Sequence, residues 1–365
     1  MSRIKSFLLN KSEYKKVILK IPFREISEAV VGIDNKKLTI KIIRLFIRYQ
    51  TRIAGYSFST RVLSLILLAT KSRMDVISSR YIRYILEVNK LRIQYLNLLS
   101  KNNMNEAVLK KNQWAEFACS NSMNRVSRCS AKGYLSLLSR HGYHDMKSYK
   151  SRVALESVSK NKFYIYGPNA SSKPSKKYEE YVLVMMKPID LNINFYKENI
   201  LFVNSVYYND VICKNETLKN DLIKSYRKIY VSCREAVLRE PFIRSKFPMG
   251  DQLASPMGLG RVLYNLTKTY GKFSCVIEGF DFFLDKALYG AYYPTLTRDK
   301  NNMISEQVTC SSLADHDALY NFLFVKELVS ELDIVESVDF NRIINLSGKD
   351  YLDELSKVRN FECLR

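Results

Sequence analysis

Between residues 160 and 330 the chain alternates short apolar runs with helical ones, and that rhythm constrains the fold more than any other feature. "KFYIYGPNA" opens as an aromatic, β-branched strand, ends in Gly167-Pro168-Asn169, and leads into the polar loop "SSKPSKK". "EEYVLVMMKP" and "NILFVNSVYYND" read as two more buried strands, "LKNDLIKSYRK" as a helix and "IYVSC" as a further strand. "MGLGRVLYNLTKTYG" is helical and closes at Gly271; "KFSCVIEGFDFF" is the strand after it, and "DHDALYNFLFVKELVSEL" a long helix. Short apolar strands separated by helices predict a mostly parallel, Rossmann-like α/β sheet with both faces covered.

In such sheets ligands sit beyond the carboxyl ends of the strands. The unusual residues fall there: Gly167-Pro168-Asn169, Lys187-Pro188, Asn204-Ser205 and Gly279 with Asp281. One glycine-aspartate turn is a common strand end. Several polar strand ends in one sheet point to a site.

The first part of the chain has a different texture. Leu38, Ile42, Leu45, Tyr49 and Ile53 recur at helical spacing, with Lys37, Lys41, Arg44, Arg48 and Arg52 as a basic stripe beside them. A second helix is expected over 80–99, with Tyr84, Val88, Leu91, Tyr95 and Leu98 on one face, and others over 106–119 and 132–140. We therefore expect a basic α-helical domain over residues 1–155 and a Rossmann-like α/β domain over 156–365. Charge follows the same division. Of a net +22, residues 1–150 carry +20, with 29 Lys and Arg against 9 Asp and Glu. Only this part should be drawn to a polyanion. Without a nucleic-acid motif, its basic amphipathic helix suits an anionic membrane surface or a partner helix, and a solvated charged face is the plainer alternative.

Seven cysteines without a Cys-x-x-Cys pair indicate neither a zinc ribbon nor a disulfide framework, and fit a reducing cytoplasm. Residues 1–20 lack a secretory signal, and the longest apolar core, Val62 to Ala69, is less than half a membrane span. The expected location is cytoplasmic, either free or peripheral on the inner face of the cell membrane.

The order "YGPNA", then "FVNS", then "SPMGLGRVLYNLTKTYGKFSCVIEGFDFF", then a His-bearing helix resembles the sialyltransferase-type glycosyltransferases over about residues 160–330. The resemblance implies a single nucleotide-binding α/β domain, a CMP-activated sugar donor, inversion at the anomeric carbon and no required metal or other cofactor. It implies a glycan or glycolipid acceptor and no nucleic-acid partner. Carried onto this chain, Gly167, Pro168 and Asn169 form the turn approaching the nucleotide, and Asn204 with Ser205 a turn near the donor. Ser255, Met257 and Gly258 start the nucleotide-facing helix, Gly279 and Asp281 lie near ribose and base, and His316 falls near the catalytic histidine. The chain departs from the family's pattern at Met257, where a hydroxyl residue is usual, at Met186-Lys187, where an asparagine is often found, and in the residues flanking His316.

The residue chemistry leaves alternatives open. A helix opening at Ser255-Pro256-Met257-Gly258 offers backbone N–H groups to one phosphate, although Ser and Pro are also ordinary helix-start residues. Tyr289, Tyr292 and Tyr293 could hold a departing phosphate in place of a metal, or could pack as core. His316 suits a general base for an acceptor hydroxyl, or is a helix-start residue with Asp315 as the cap. Asp315-x-Asp317 also resembles a metal-binding pair for a nucleoside-diphosphate sugar. A noncatalytic or nucleic-acid-binding protein on a degenerate nucleotide fold is the remaining reading.

Overall fold

A computed structural model of the chain describes residues 76–122, 125–141, 143, 161–168, 174–186, 198–232, 238, 241–245, 256–284, 306–335 and 337–364. The basic stripe at Lys37–Arg52 lies outside them, as do Asn169, Ser255, Tyr289, Tyr292 and Tyr293. The chain divides into two compact units, one of residues 1–98 and 106–125 with Arg365, the other of 99–105 and 126–364.

The described part of the first unit is helical. It comprises most of α1 (Val76–Leu99) and α2 (Met104–Asn121), the helices expected over 80–99 and 106–119. Val88, Leu91 and Tyr95 are buried, as the helical spacing required, and Tyr84 stacks on Phe117 at 5.8 Å. Lys111 is buried with its ammonium 4.0 Å from the Trp114 ring centre, where the ring face offsets part of the cost of desolvating the cation.

The second unit holds a seven-stranded sheet in the order β5-β4-β3-β2-β1-β6-β7, every neighbouring pair parallel. The strands are β1 (Lys162–Tyr166), β2 (Val182–Met185), β3 (Glu198–Asn204), β4 (Lys228–Ser232), β5 (Phe242–Arg244), β6 (Ser274–Glu278) and β7 (Asp333–Ile334). The chain steps outward from β1 to β5, then returns to the other side of β1 for β6. That reversal leaves a crevice between the carboxyl ends of β1 and β6, where open parallel sheets bind their ligands.

Side-chain alternation gives each strand two apolar faces, which is why the strands read as continuous runs. On one face Tyr164, Tyr166, Leu183, Met185, Leu201, Val203, Ile229, Val231 and Val276 form a core with Tyr208 of α4 (Ser205–Asp210) and Leu222 of α5 (Glu216–Ser225). On the other, Phe163 meets Tyr270 of α6 (Gly258–Tyr270), ring centres 5.1 Å apart. Two consecutive helices, α7 (Glu306–His316) and α8 (Ala318–Val329), replace the single long helix expected from "DHDALYNFLFVKELVSEL". The chain ends with α9 (Val338–Ile344) and α10 (Gly348–Val358).

Helix α3 (Arg125–His141) belongs, from Val126 onward, to the α/β unit, so that unit begins before the expected boundary at 155/156. Tyr134 of α3 lies 6.3 Å from Tyr320 of α8, and Glu327 of α8 pairs with Arg140 at 2.9 Å and His141 at 2.6 Å. His141 is the last residue of α3. Burial lowers its pKa despite the carboxylate partner, so the imidazole is held mainly as the neutral donor.

Candidate functional site

At the crevice the two expected glycine turns meet. Register places Tyr166 opposite both Met185 and Glu278, so β1, β2 and β6 end level. One residue on, Gly167 N–H donates to Glu278 O at 2.7 Å. A Cβ on Gly167 would lie 2.5 Å from the Phe280 ring and closer still to Gly279 O. Gly279 has φ +73°, the left-handed region that glycine enters without steric cost. Both glycines are thus required by geometry: one by close approach, the other by backbone conformation. Pro168 follows, half-buried.

The core face just below the strand ends carries polar groups. Tyr164 OH donates to the Glu278 carboxylate, and Tyr166 lies on the same sheet face with ring centres 6.1 Å apart. The Tyr166 hydroxyl is buried without a hydrogen-bond partner, and burial, with the Glu278 charge adding to it, pushes its pKa up to about 12. It therefore stays a neutral phenol with donor and acceptor capacity unused.

Beyond Gly279 the turn is strained and braced. Asp281 Oδ1 accepts from Phe283 N at 2.9 Å, and both Phe282 and Phe283 have positive φ, at 51° and 65°. Bulky residues hold such angles only where surroundings fix them. Here Tyr351 OH donates to Phe282 O at 3.2 Å and Arg359 Nε to Phe283 O at 2.9 Å. Arg359 is buried and its guanidinium pairs with Glu306 at 3.1 Å. Burial raises the Tyr351 pKa, with the charges of Asp281 and Asp317 adding to it, so the hydroxyl remains a donor. Sequence pattern gave no sign of these braces, which come from the far end of the chain.

The start of α6 lies by the end of β2, where a Cβ on Gly258 would come 2.7 Å from Met186 Cε. The helix begins at Gly258 with Met257 as N-cap and no side-chain capping bond, so the cap is not Ser255. A methionine at that position offers no oxygen to the first-turn N–H groups. Asn204 caps α4, its Oδ1 accepting from Tyr207 N at 2.8 Å, and Ser205 is the first residue of that helix.

His316 is the last residue of α7 rather than the start of a long helix. The chain breaks at Asp317, φ +59°, whose carboxylate accepts from Tyr320 N at 2.7 Å and caps α8. The cap is therefore Asp317 and not Asp315, because the left-handed turn at 317 resets the backbone for a new helix. Asn321 spans the break: its Nδ2 donates to His316 O at 2.7 Å and its Oδ1 accepts from Met257 N at 2.5 Å. One side chain thus joins the histidine segment to the start of α6.

Among the described residues no cluster of three or more His, Cys, Asp or Glu side chains could hold a metal ion, and no helix is long and apolar enough to cross a membrane. Comparison with family models, with curated proteins and with solved structures finds no match. What the fold and the geometry define is a parallel α/β unit whose two glycine turns meet at its switch point.

Proposed function

We propose that the chain is an inverting glycosyltransferase of the sialyltransferase type. It would move sialic acid, Kdo or a related acidic sugar from a CMP donor to a surface polysaccharide or lipid-linked glycan. The observation that carries this reading is the meeting of Gly167 and Gly279 at the β1/β6 crevice, because the resemblance named those two turns as the nucleotide's and they are far apart in sequence. Gly167 packs against Gly279 and Phe280, which joins the two turns at the strand ends, and the nucleotide would lie over this joined pair.

In the reaction the acceptor hydroxyl gives its proton to His316 while its oxygen bonds to the anomeric carbon. The bond from that carbon to the phosphate oxygen breaks, and CMP leaves with the electron pair. Asn169, Asn204 and Asp281 would hold the cytidine, although Asn204 Oδ1 already caps α4 and Asp281 Oδ1 accepts from Phe283 N. The first-turn N–H groups of α6 and the phenols of Tyr289, Tyr292 and Tyr293 take up the charge developing on the phosphate. A single phosphate needs no divalent clamp. The alternative with a metal and a nucleoside-diphosphate sugar draws on Asp315 and Asp317, and the engagement of Asp317 in capping α8 weighs against it. Residues 1–150, with their net +20, would rest on anionic lipid near the acceptor.

A panel of CMP-sugars incubated with the full chain in excess EDTA, with CMP release followed by chromatography, tests the reading. Consumption of at least one acidic CMP-sugar is expected. Consumption of nucleoside-diphosphate sugars alone, dependent on Mg²⁺ or Mn²⁺, would overturn it.

A further inference from the structure

The buried amide of Asn321 holds together two segments that the proposed reaction needs in register. It lies in the second turn of α8, 7% exposed, and makes three bonds across the α7/α8 break and the start of α6. Nδ2 donates to His316 O at 2.7 Å and to Asp317 O at 3.0 Å, and Oδ1 accepts from Met257 N at 2.5 Å. The helices α6 and α8 pack closely enough for this reach: a Cβ on Gly260 would come 2.9 Å from Phe324 Cδ1, and Tyr264 and Phe324 rings lie 6.3 Å apart.

We propose that Asn321 is a positioning residue that sets His316 relative to the phosphate-binding turn of α6. The inference rests on the transferase reading given above. Only an amide supplies an acceptor and two donors from one planar group, which is what two carbonyls and one N–H arranged around it demand. Asp317 adds the constraint from the other side, since its positive φ fixes the direction in which the chain leaves His316. A base displaced by about 1 Å from the acceptor hydroxyl loses on the order of 100-fold in rate, so the bridge acts on turnover more than on nucleotide affinity.

Asn321→Asp separates the two halves of the bridge. It keeps the acceptor for Met257 N but turns an oxygen toward two carbonyls, unless the new carboxyl is protonated. Turnover of the full chain with a CMP-sugar should fall about 10–100-fold. CMP affinity by calorimetry should stay within about 3-fold, while the melting temperature falls, because a carboxylate is then buried against two carbonyls. The ratio of variant to wild-type turnover should then rise as pH falls, because the protonated carboxyl can again donate to His316 O. A purely structural role would instead lower CMP affinity along with turnover. If Asn321→Asp does not fold, the smaller Asn321→Ser, which leaves room for water at the carbonyls, carries the same expectation for turnover and affinity. Unchanged turnover, or turnover and CMP affinity falling together, overturns the positioning role. Wild type that consumes no CMP-sugar overturns instead the transferase reading on which it stands.

Discussion

Alanine at Gly167 tests the packing at the crevice floor. Its Cβ would stand 2.5 Å from the Phe280 ring, where ordinary contact begins at 3.4 Å. The neighbour must therefore yield by about 0.9 Å, and the second obstacle is the carbonyl of Gly279, which is backbone and cannot rotate away. Separating the turns by that much stretches the Gly167 N–H bond to Glu278 O from 2.7 Å to beyond the useful range. Overpacking of this kind costs about 1–3 kcal/mol and the lost hydrogen bond about 1 kcal/mol more. A total of about 2–4 kcal/mol lowers Tm by roughly 4–16 °C for a unit of this size. Gly133, mid-helix in α3 with nothing near its Cβ position, is the control: alanine there should stabilise by about 1 kcal/mol. Urea unfolding of both variants against wild type provides the measurement. Gly167→Ala within about 0.5 kcal/mol of wild type, the range of a surface change, would refute the close approach of the two turns.

Removal of the proposed base by His316→Ala should lower transfer at least ~100-fold while CMP still binds, and undiminished transfer would eliminate that residue as the base. Lys326 is buried, donates to Leu346 O at 2.7 Å, and has its pKa pushed down to about 8 by burial. Between about 8 and the ordinary 10.5 the unfolded chain binds this proton and the folded chain does not, so stability rises with pH there; below 8 both forms are charged and the cost of burial is complete. The stability difference between wild type and Lys326→Met should therefore move by up to about 3 kcal/mol in favour of wild type from pH 7 to pH 10, and an equal difference at both would contradict it. The basic stripe predicts salt-sensitive flotation with anionic but not neutral liposomes, lost when Arg44, Arg48 and Arg52 become Glu. Equal flotation of the two proteins would return the stripe to a solvated face.

Much of the sheet was readable because its strands are buried on both faces. Phe163 to Tyr166, Leu183 to Met185 and Cys275 to Ile277 are continuous apolar runs, and Gly271 marks the end of α6 with φ +75°. Two strands escaped notice for want of length: β5 has three residues, of which Ile243 and Arg244 are exposed, and β7 has two. The break between α7 and α8 was equally hidden. "ADHDAL" contains neither Gly nor Pro and offers two candidate caps, Asp315 and Asp317, and the choice of Asp317 is fixed by Asn321, which holds the turn from the next helix. Helix α10 did carry a signal, since Ser347 is a preferred N-cap residue, its Oγ accepting from Asp350 N and donating to the Asp350 carboxylate ahead of Tyr351 and Leu352. At the site, the glycines were legible because steric demand selects the residue type. Asn321, Tyr351 and Arg359 were not, because their roles arise only when distant segments are brought together.

Binding of CMP in the absence of metal tests the central claim most directly. The account predicts that CMP raises the melting temperature of the full chain in excess EDTA, by about 2.7 kcal/mol of added stability at one hundred times Kd. CDP should do less, and Gly167→Ala should lose the effect. No shift with CMP at millimolar concentration, or a shift only with a nucleoside diphosphate and a divalent cation, would contradict a CMP-sugar site at the β1/β6 crevice.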